Sequence, residues 1–260
     1  YVQRVFYSRK SFMFPEKQQG PHRDWELETQ WLDQYFDHGA AYTVGKMNGD
    51  HWLLYMAQHT DPDEAPVCPR ATRVVGDDST LEILMTDLSP RVSQSFFFDA
   101  KDDCNADRAH ELGAQLSRNM GLADLFAHTQ LDAFAFEPCG YSANALVPAS
   151  PHHSAGYWTV HVTPEPGSSY ASFETNVALD CEGGMDDEGG DLTHVPALVH
   201  RVVQMFEPGS FTLTLFVSTD DPSSVTALRA LTLPGYAKRD RILYEFEGYE
   251  LLFLSFQKSL

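Results

Sequence analysis

Residues 78–88, DSTLEILMTDL, set Asp78, Thr80 and Glu82 on one side of an extended chain and Leu81, Ile83 and Met85 on the other. Successive strand side chains point to opposite faces, so this alternation marks a strand with one polar and one apolar face. Residues 157–165, YWTVHVTPE, repeat it: Tyr157, Thr159, His161, Thr163 and Glu165 oppose Trp158, Val160 and Val162. In residues 211–217, FTLTLFV, Thr212, Thr214 and Phe216 oppose Phe211, Leu213, Leu215 and Val217. Further strands are expected at AAYTVGKM (40–47), HWLLYMA (51–57), LDAFAFEPCGY (131–141), SYASFETNV (169–177) and YELLFLSF (249–256). The opening YVQRVFYSRKSF reads as the middle of a strand, so the chain is expected to be a fragment or a processed piece.

Helices fall between these strands. HRDWELETQWLDQYF (22–36) spaces Trp25, Glu28, Leu32, Tyr35 and Phe36 at helical intervals, and SPRVSQSFF offers Ser89 as N-cap with Pro90 at the first helical position. VPALVHRVVQMFEPG carries Leu198, Val199, Val202, Val203 and Phe206 on one stripe and stops at Pro208 and Gly209. Strands joined both by turns and by helices imply an α+β protein with a mainly antiparallel or mixed sheet and helices on one face. HTDPDEAPVCPRATRVVGDD (59–78) and DCEGGMDDEGGDL (180–192) read as acidic surface loops. No linker divides the chain, so a single domain is expected over 1–260.

The balance of 18 Lys and Arg against 37 Asp and Glu, a net charge of −19, argues against nucleic acid or an anionic membrane as partner and favours cationic ligands. No apolar run has membrane-spanning length and no secretory leader opens the chain, so a cytoplasmic protein is expected. Cys68, Cys104, Cys139 and Cys181 lie far apart without a CxxC pair, and His152 and His153 lack a paired carboxylate motif. Neither a disulfide framework nor a metal site is indicated.

Two groups of residues point to chemistry. Asp78 and Glu82 project from one strand face, with Glu174 in SFETN as a third acid. A solvated outer face would explain them, but at low dielectric they would need a cation such as a diamine or a buried Arg or Lys. The second group is FEPCGYSANAL (136–146) with the strand that carries His161 and Glu165. Four residues along a strand separate two side chains by about 13 Å, too far for His161 and Glu165 to touch. Pro138 and Gly140 suggest a turn or bulge that aims a side chain at a site, although Ser142 as a turn residue and Cys139 and His161 as packing residues would also fit. No GxSxG elbow supports a serine hydrolase.

Taken in order, FYSRKSFMFPE, GPHRDW, FDHGAAYTVGKMNGDHWLLY, TLEILMTDL, FEPCGYSANAL, YWTVHVTPEPGSSYASFETN and FTLTLFV resemble the eukaryotic S-adenosylmethionine decarboxylases over nearly the whole chain. The resemblance implies a four-layer αββα sandwich of two antiparallel sheets with helices on the outer faces. It implies decarboxylation of S-adenosylmethionine for spermidine and spermine synthesis, through a Schiff base to a pyruvoyl cofactor that autocatalytic cleavage at a Glu-Ser bond creates. By the same resemblance, Phe136 stacks on adenine, Glu165 accepts hydrogen bonds from the ribose hydroxyls, and Ser142 and His161 serve self-processing. Asp78, Thr80, Glu82 and Glu174, flanked by Phe6, Ser8, Arg9, Phe216 and Tyr249, match a putrescine site. Cys139 does not match the family's proton-donating cysteine. A dimer and an N-terminal β chain from the same proenzyme are the expected partners. The dipeptide Glu-Ser occurs nowhere in the 260 residues, so the domain is expected to be N-terminally incomplete. The alternative is a catalytically inactive paralogue that activates a partner decarboxylase.

Overall fold

The alternating segments form strands of two antiparallel sheets. The computed structural model describes residues 4–58, 78–98, 106–150, 153–177, 194–218, 223–246 and 248–259. The two loops expected to be acidic, together with Cys68, Cys104 and Cys181, fall wholly or almost wholly outside them. The chain divides into two compact units, Tyr1–Val75 and Gly76–Leu260.

In the first unit, β1 (Arg4–Lys10), α1 (Trp25–Leu32), β2 (Ala40–Gly45) and β3 (His51–Gln58) build a three-stranded sheet of order β1-β3-β2 with one helix. Asp24 starts α1 by accepting the Glu26 amide at 2.8 Å. Leu32 packs with Tyr55 and Ala57, and Val5, Tyr7, Trp25 and Phe36 surround them. The helix ends at Leu32, so Tyr35, expected on its inner stripe, is 64% exposed instead.

The second unit contains β4 (Ser79–Leu88), α2 (Pro90–Gln94), α3 (Ala106–Met120), β5 (Gln130–Ala135), β6 (Tyr141–Val147), β7 (Gly156–Thr163), β8 (Tyr170–Thr175), α4 (Val195–Phe206), β9 (Pro208–Ser218), α5 (Ser223–Arg229), β10 (Tyr236–Phe246) and β11 (Tyr249–Lys258). Its eight strands run in the order β10-β11-β9-β4-β8-β7-β6-β5. Every neighbouring pair is antiparallel. Ile83, Met85, Trp158, Val160, Phe173 and Leu213 form one apolar face, on which α4 lays Leu198, Val199, Val202 and Phe206, all fully buried. Each such side chain contributes about 1.5–3 kcal/mol by leaving water. Ser89 caps α2 through the Val92 amide and Pro90 opens it, as the sequence suggests.

Several elements escape the periodic reading, α5 among them. LDAFAFEPCGY is two strands broken at 136–140, not one. β6 alternates with the small residues Ala143 and Ala145, and β10 is a charged edge strand, so neither stands out as a pattern. α3 lies so close to β5 that a Cβ on Gly113 would meet the Ala133 carbonyl carbon at 2.6 Å.

Candidate active site

Opposite its apolar face, the larger sheet carries the polar positions of β4–β9, and strand register arranges them in rows. One row runs Phe134, Ser142, His161 and Ser172; the next runs Asn144, Thr159, Glu174, Glu82 and Thr214.

In the first row, Ser142 on β6 and His161 on β7 are direct partners, and Ser142 Oγ lies 2.9 Å from His161 Nδ1. Ser142 is therefore a strand residue rather than a turn residue. The buried neighbours Tyr141 and Val162 face the core and leave this pair on the open side.

The break before β6 shapes the cleft beside the pair. The Phe136 amide donates to the Gly140 carbonyl at 3.0 Å, and the Gly140 amide donates to the Phe96 carbonyl at 3.1 Å. Gly140 has φ +116°, a conformation L side chains rarely adopt. The loop thus presents the Phe136 ring, 44% exposed, against Phe134 at 4.9 Å between centroids.

Glu165 departs from the expectation that it shares a strand face with His161. β7 ends at Thr163, and Glu165 lies in the following turn, where its carbonyl accepts the Ser168 amide at 3.1 Å. Pro164 cannot donate to a ladder, and Gly167 takes a positive φ. Phe136, Cys139, Ser142, His161 and Glu165 line one cleft. Burial first, then the charge of the Glu165 carboxylate and hydrogen bonding to it, push the Cys139 thiol's pKa up. Cys139 is thus a site residue, and its nearness to the PCGYS serine was the available signal.

The acids of the second row are held apart from the cleft. Glu82 and Glu174 face each other directly across β4 and β8. The Thr214 hydroxyl donates to Glu82 Oε2 at 3.0 Å and the Tyr157 hydroxyl to Glu174 Oε1 at 2.6 Å. Burial, the Glu174 hydrogen bond and the charges of Glu174 and Glu82 all raise the Tyr157 pKa. Asp78 takes a hydrogen bond from Tyr249, whose ring stacks on Phe216 at 4.8 Å, and Phe216 is the register partner of Thr80. Tyr157 and Thr214 were absent from the expected set, although both lay on the polar faces that the alternation defined.

The three expected residues of the first unit divide. Phe6 and Ser8 share one face of β1, while Arg9 projects from the other. Arg9 Nε lies 2.8 Å from Glu28 Oε2, and its guanidinium sits 4.1 Å from the centre of the Phe12 ring. Glu28 is 3% exposed and is also contacted by the Tyr7 hydroxyl at 3.1 Å and His22 Nδ1 at 2.7 Å. The Arg9 charge is thus matched within its own unit.

Among the described residues no group of three or more His, Cys, Asp or Glu could hold a metal ion, and no helix is long and apolar enough to cross a membrane.

Fold and site together define an α+β protein whose larger sheet bears an open cleft lined by an aromatic ring, a carboxylate and a hydroxyl–imidazole pair. Residues 1–257 match the adenosylmethionine decarboxylase family, and the chain belongs to that family. It is 34% identical over 275 residues to the S-adenosylmethionine decarboxylase proenzyme of Saccharomyces cerevisiae, covering 99% of this chain and 65% of that protein. To the Xenopus laevis proenzyme it is 37% identical over 257 residues, covering 99% of this chain and 66% of that protein. The chain thus spans slightly less than two thirds of these relatives. The crystal structure of the Trypanosoma brucei AdoMetDC-delta26 monomer shares the fold, with a TM-score of 0.64 and 21% identity over 100% of this chain and 86% of that one.

Proposed function

We propose that the parent protein decarboxylates S-adenosylmethionine to supply aminopropyl groups for spermidine and spermine. The observation that carries this reading is the convergence of Phe136, Ser142, His161 and Glu165 on one cleft. An adenosyl sulfonium offers a flat purine, a vicinal diol and a cation. The exposed Phe136 ring suits the purine, and the Glu165 carboxylate, an acceptor only, suits the two hydroxyls.

Ser142 Oγ and His161 Nδ1 are within proton-transfer distance, so the imidazole takes or returns a proton at that hydroxyl. In this reading the pair acts mainly in self-processing of a proenzyme, and the N-terminal β chain released there is a partner. A pyruvoyl group would supply an electrophilic ketone that binds the substrate amine and accepts the electron pair left by departing carbon dioxide. The Ser142 hydroxyl and the His161 imidazole, paired at 2.9 Å in the cleft, would hold such a group by hydrogen bonds. The serine that would form it belongs to a Glu-Ser bond, which these 260 residues do not contain. The facing Glu82 and Glu174 suit a diamine such as putrescine as activator.

The test is carbon dioxide release from carboxyl-labelled S-adenosylmethionine by the purified full-length protein alone. We expect turnover and a pyruvoyl mass signature on one chain, and we expect His161→Ala to leave the proenzyme uncleaved. A full-length protein that never acquires the signature and only stimulates another decarboxylase would be a regulatory paralogue, and the proposal would fail.

A further inference from the structure

Behind the Phe136 ring, outside the residues that line the cleft, packs a second ring, Phe134. On β5 it is the register partner of Ser142, so it lies in the row that carries the Ser142–His161 pair. Its two neighbours in sequence, Ala133 and Ala135, are buried on the other face against the core. The ring is half-buried and touched on two sides: Phe136 packs at 4.9 Å with planes 51° apart, and His110 meets it edge to face at 5.1 Å with planes 90° apart.

His110 is itself fixed. It reaches from α3 around the sheet edge, where its Nδ1 lies 3.0 Å from the Ala133 carbonyl oxygen and 3.2 Å from Asp132 Oδ1. The close seating of α3 on β5 at Gly113 sets the distance of that reach. Phe136, in contrast, sits in a loop outside any strand, and nearly half of its surface is open. A ring so exposed has several rotamers available, and each one it loses on binding a flat ligand costs affinity.

We propose that Phe134, backed by His110, is a positioning residue that fixes the Phe136 ring for stacking on the purine of the substrate. This inference rests on the adenosine-binding reading of the cleft. Phe134 need not touch the ligand. It restricts Phe136 before binding, so its loss weakens binding and leaves the chemical step alone.

The experiment uses the full-length protein and 5′-methylthioadenosine as the probe, titrated by calorimetry, with KM and kcat measured alongside. Phe134→Leu keeps an apolar residue without a ring, and Phe134→Tyr keeps the ring. We expect Phe134→Leu to weaken the nucleoside and raise KM by about three- to ten-fold, the range of one aromatic pair, with kcat and processing unchanged. Phe134→Tyr should restore both. His110→Ala, which leaves the strand intact, should give a smaller loss in the same direction and decides the matter should Phe134→Leu fold poorly. Wild-type protein that binds the nucleoside and loses it with Glu165→Gln, while Phe134→Leu and His110→Ala bind as wild type, would overturn this inference and leave the cleft reading standing. Wild-type protein that does not bind the nucleoside would overturn both.

Discussion

Glu82 and Glu174 stand directly opposite one another on β4 and β8, two carboxylates at a single cross-strand pair position. Like charges so placed repel, and the neutral hydroxyls of Thr214 and Tyr157, which donate to them, bring no opposite charge. A diamine would relieve that repulsion. Putrescine is therefore expected to raise the thermal midpoint of the full-length protein by several degrees more than salt of matched ionic strength, the control that a net charge of −19 demands. Glu82→Gln combined with Glu174→Gln should abolish the difference. An undiminished response in the double variant would place the diamine elsewhere.

Cys139 offers a chemical readout of the cleft. Burial and the Glu165 carboxylate hold its thiol above the ordinary cysteine range, so little thiolate exists at neutral pH. Iodoacetamide should label it slowly at pH 7.5. Glu165→Gln removes the charge and should speed labelling several-fold, read by peptide mass spectrometry. Equal rates in both proteins would show that the carboxylate does not govern the thiol.

Tyr141 anchors the strand that carries Ser142. Its hydroxyl donates to Ser117 Oγ at 2.6 Å, while Ser117 donates onward to the Gly113 carbonyl at 2.7 Å. Tyr141→Phe leaves Ser117 its acceptor, so it should cost only about 0.5–1.5 kcal/mol at pH 7.

The same tyrosine predicts a limit at high pH. Burial pushes the Tyr141 pKa up to about 12, against 10 for an exposed tyrosine. Between those values the unfolded chain releases a proton that the folded chain keeps. The stabilisation is thus whole below pH 10 and lost as pH rises towards 12, amounting to about 2–3 kcal/mol. Urea unfolding from pH 9 to 11.5 should show Tyr141→Phe losing less stability than wild type. Parallel curves would remove Tyr141 from the cause.

Gly113 tests the seating of α3. A Cβ there would meet backbone atoms of Ala133 and Phe134 at 2.6 Å, and backbone does not yield as a flexible side chain would. Gly113→Ala should therefore destabilise by about 1–3 kcal/mol despite the better helix propensity of alanine, measurable as a drop in the denaturation midpoint.

Much of this was legible locally. The alternation in 78–88 and 157–163 assigned faces that the structure keeps, and Ser89, Pro90 and the stop at Pro208 marked helix ends. The same alternation applied to β1 sets Arg9 on the face opposite Phe6 and Ser8. Glu165 shows the limit of periodicity, since Pro164 ends the ladder before the period reaches it. β6 and β10 lacked a bold pattern because a strand of small residues and a charged edge bury little large apolar surface, whereas α3 is amphipathic, with Ala109, Gly113 and Leu116 inward at helical spacing, a legible signal.

The sequence by itself determined the α+β class, the polar faces on which the acids and His161 stand, and the family to which the motifs point. Those features depend on period, caps and turn residues, each within a few positions along the chain. Tertiary structure alone decided which residues meet. Ser142 reaches His161 across 19 positions and Thr214 reaches Glu82 across 132, and both contacts exist only in one strand register. A slip of one residue would turn each side chain to the opposite face, and what prevents it is the burial of Ile83, Trp158, Val160 and Phe173 together against α4, an energy no single segment contains.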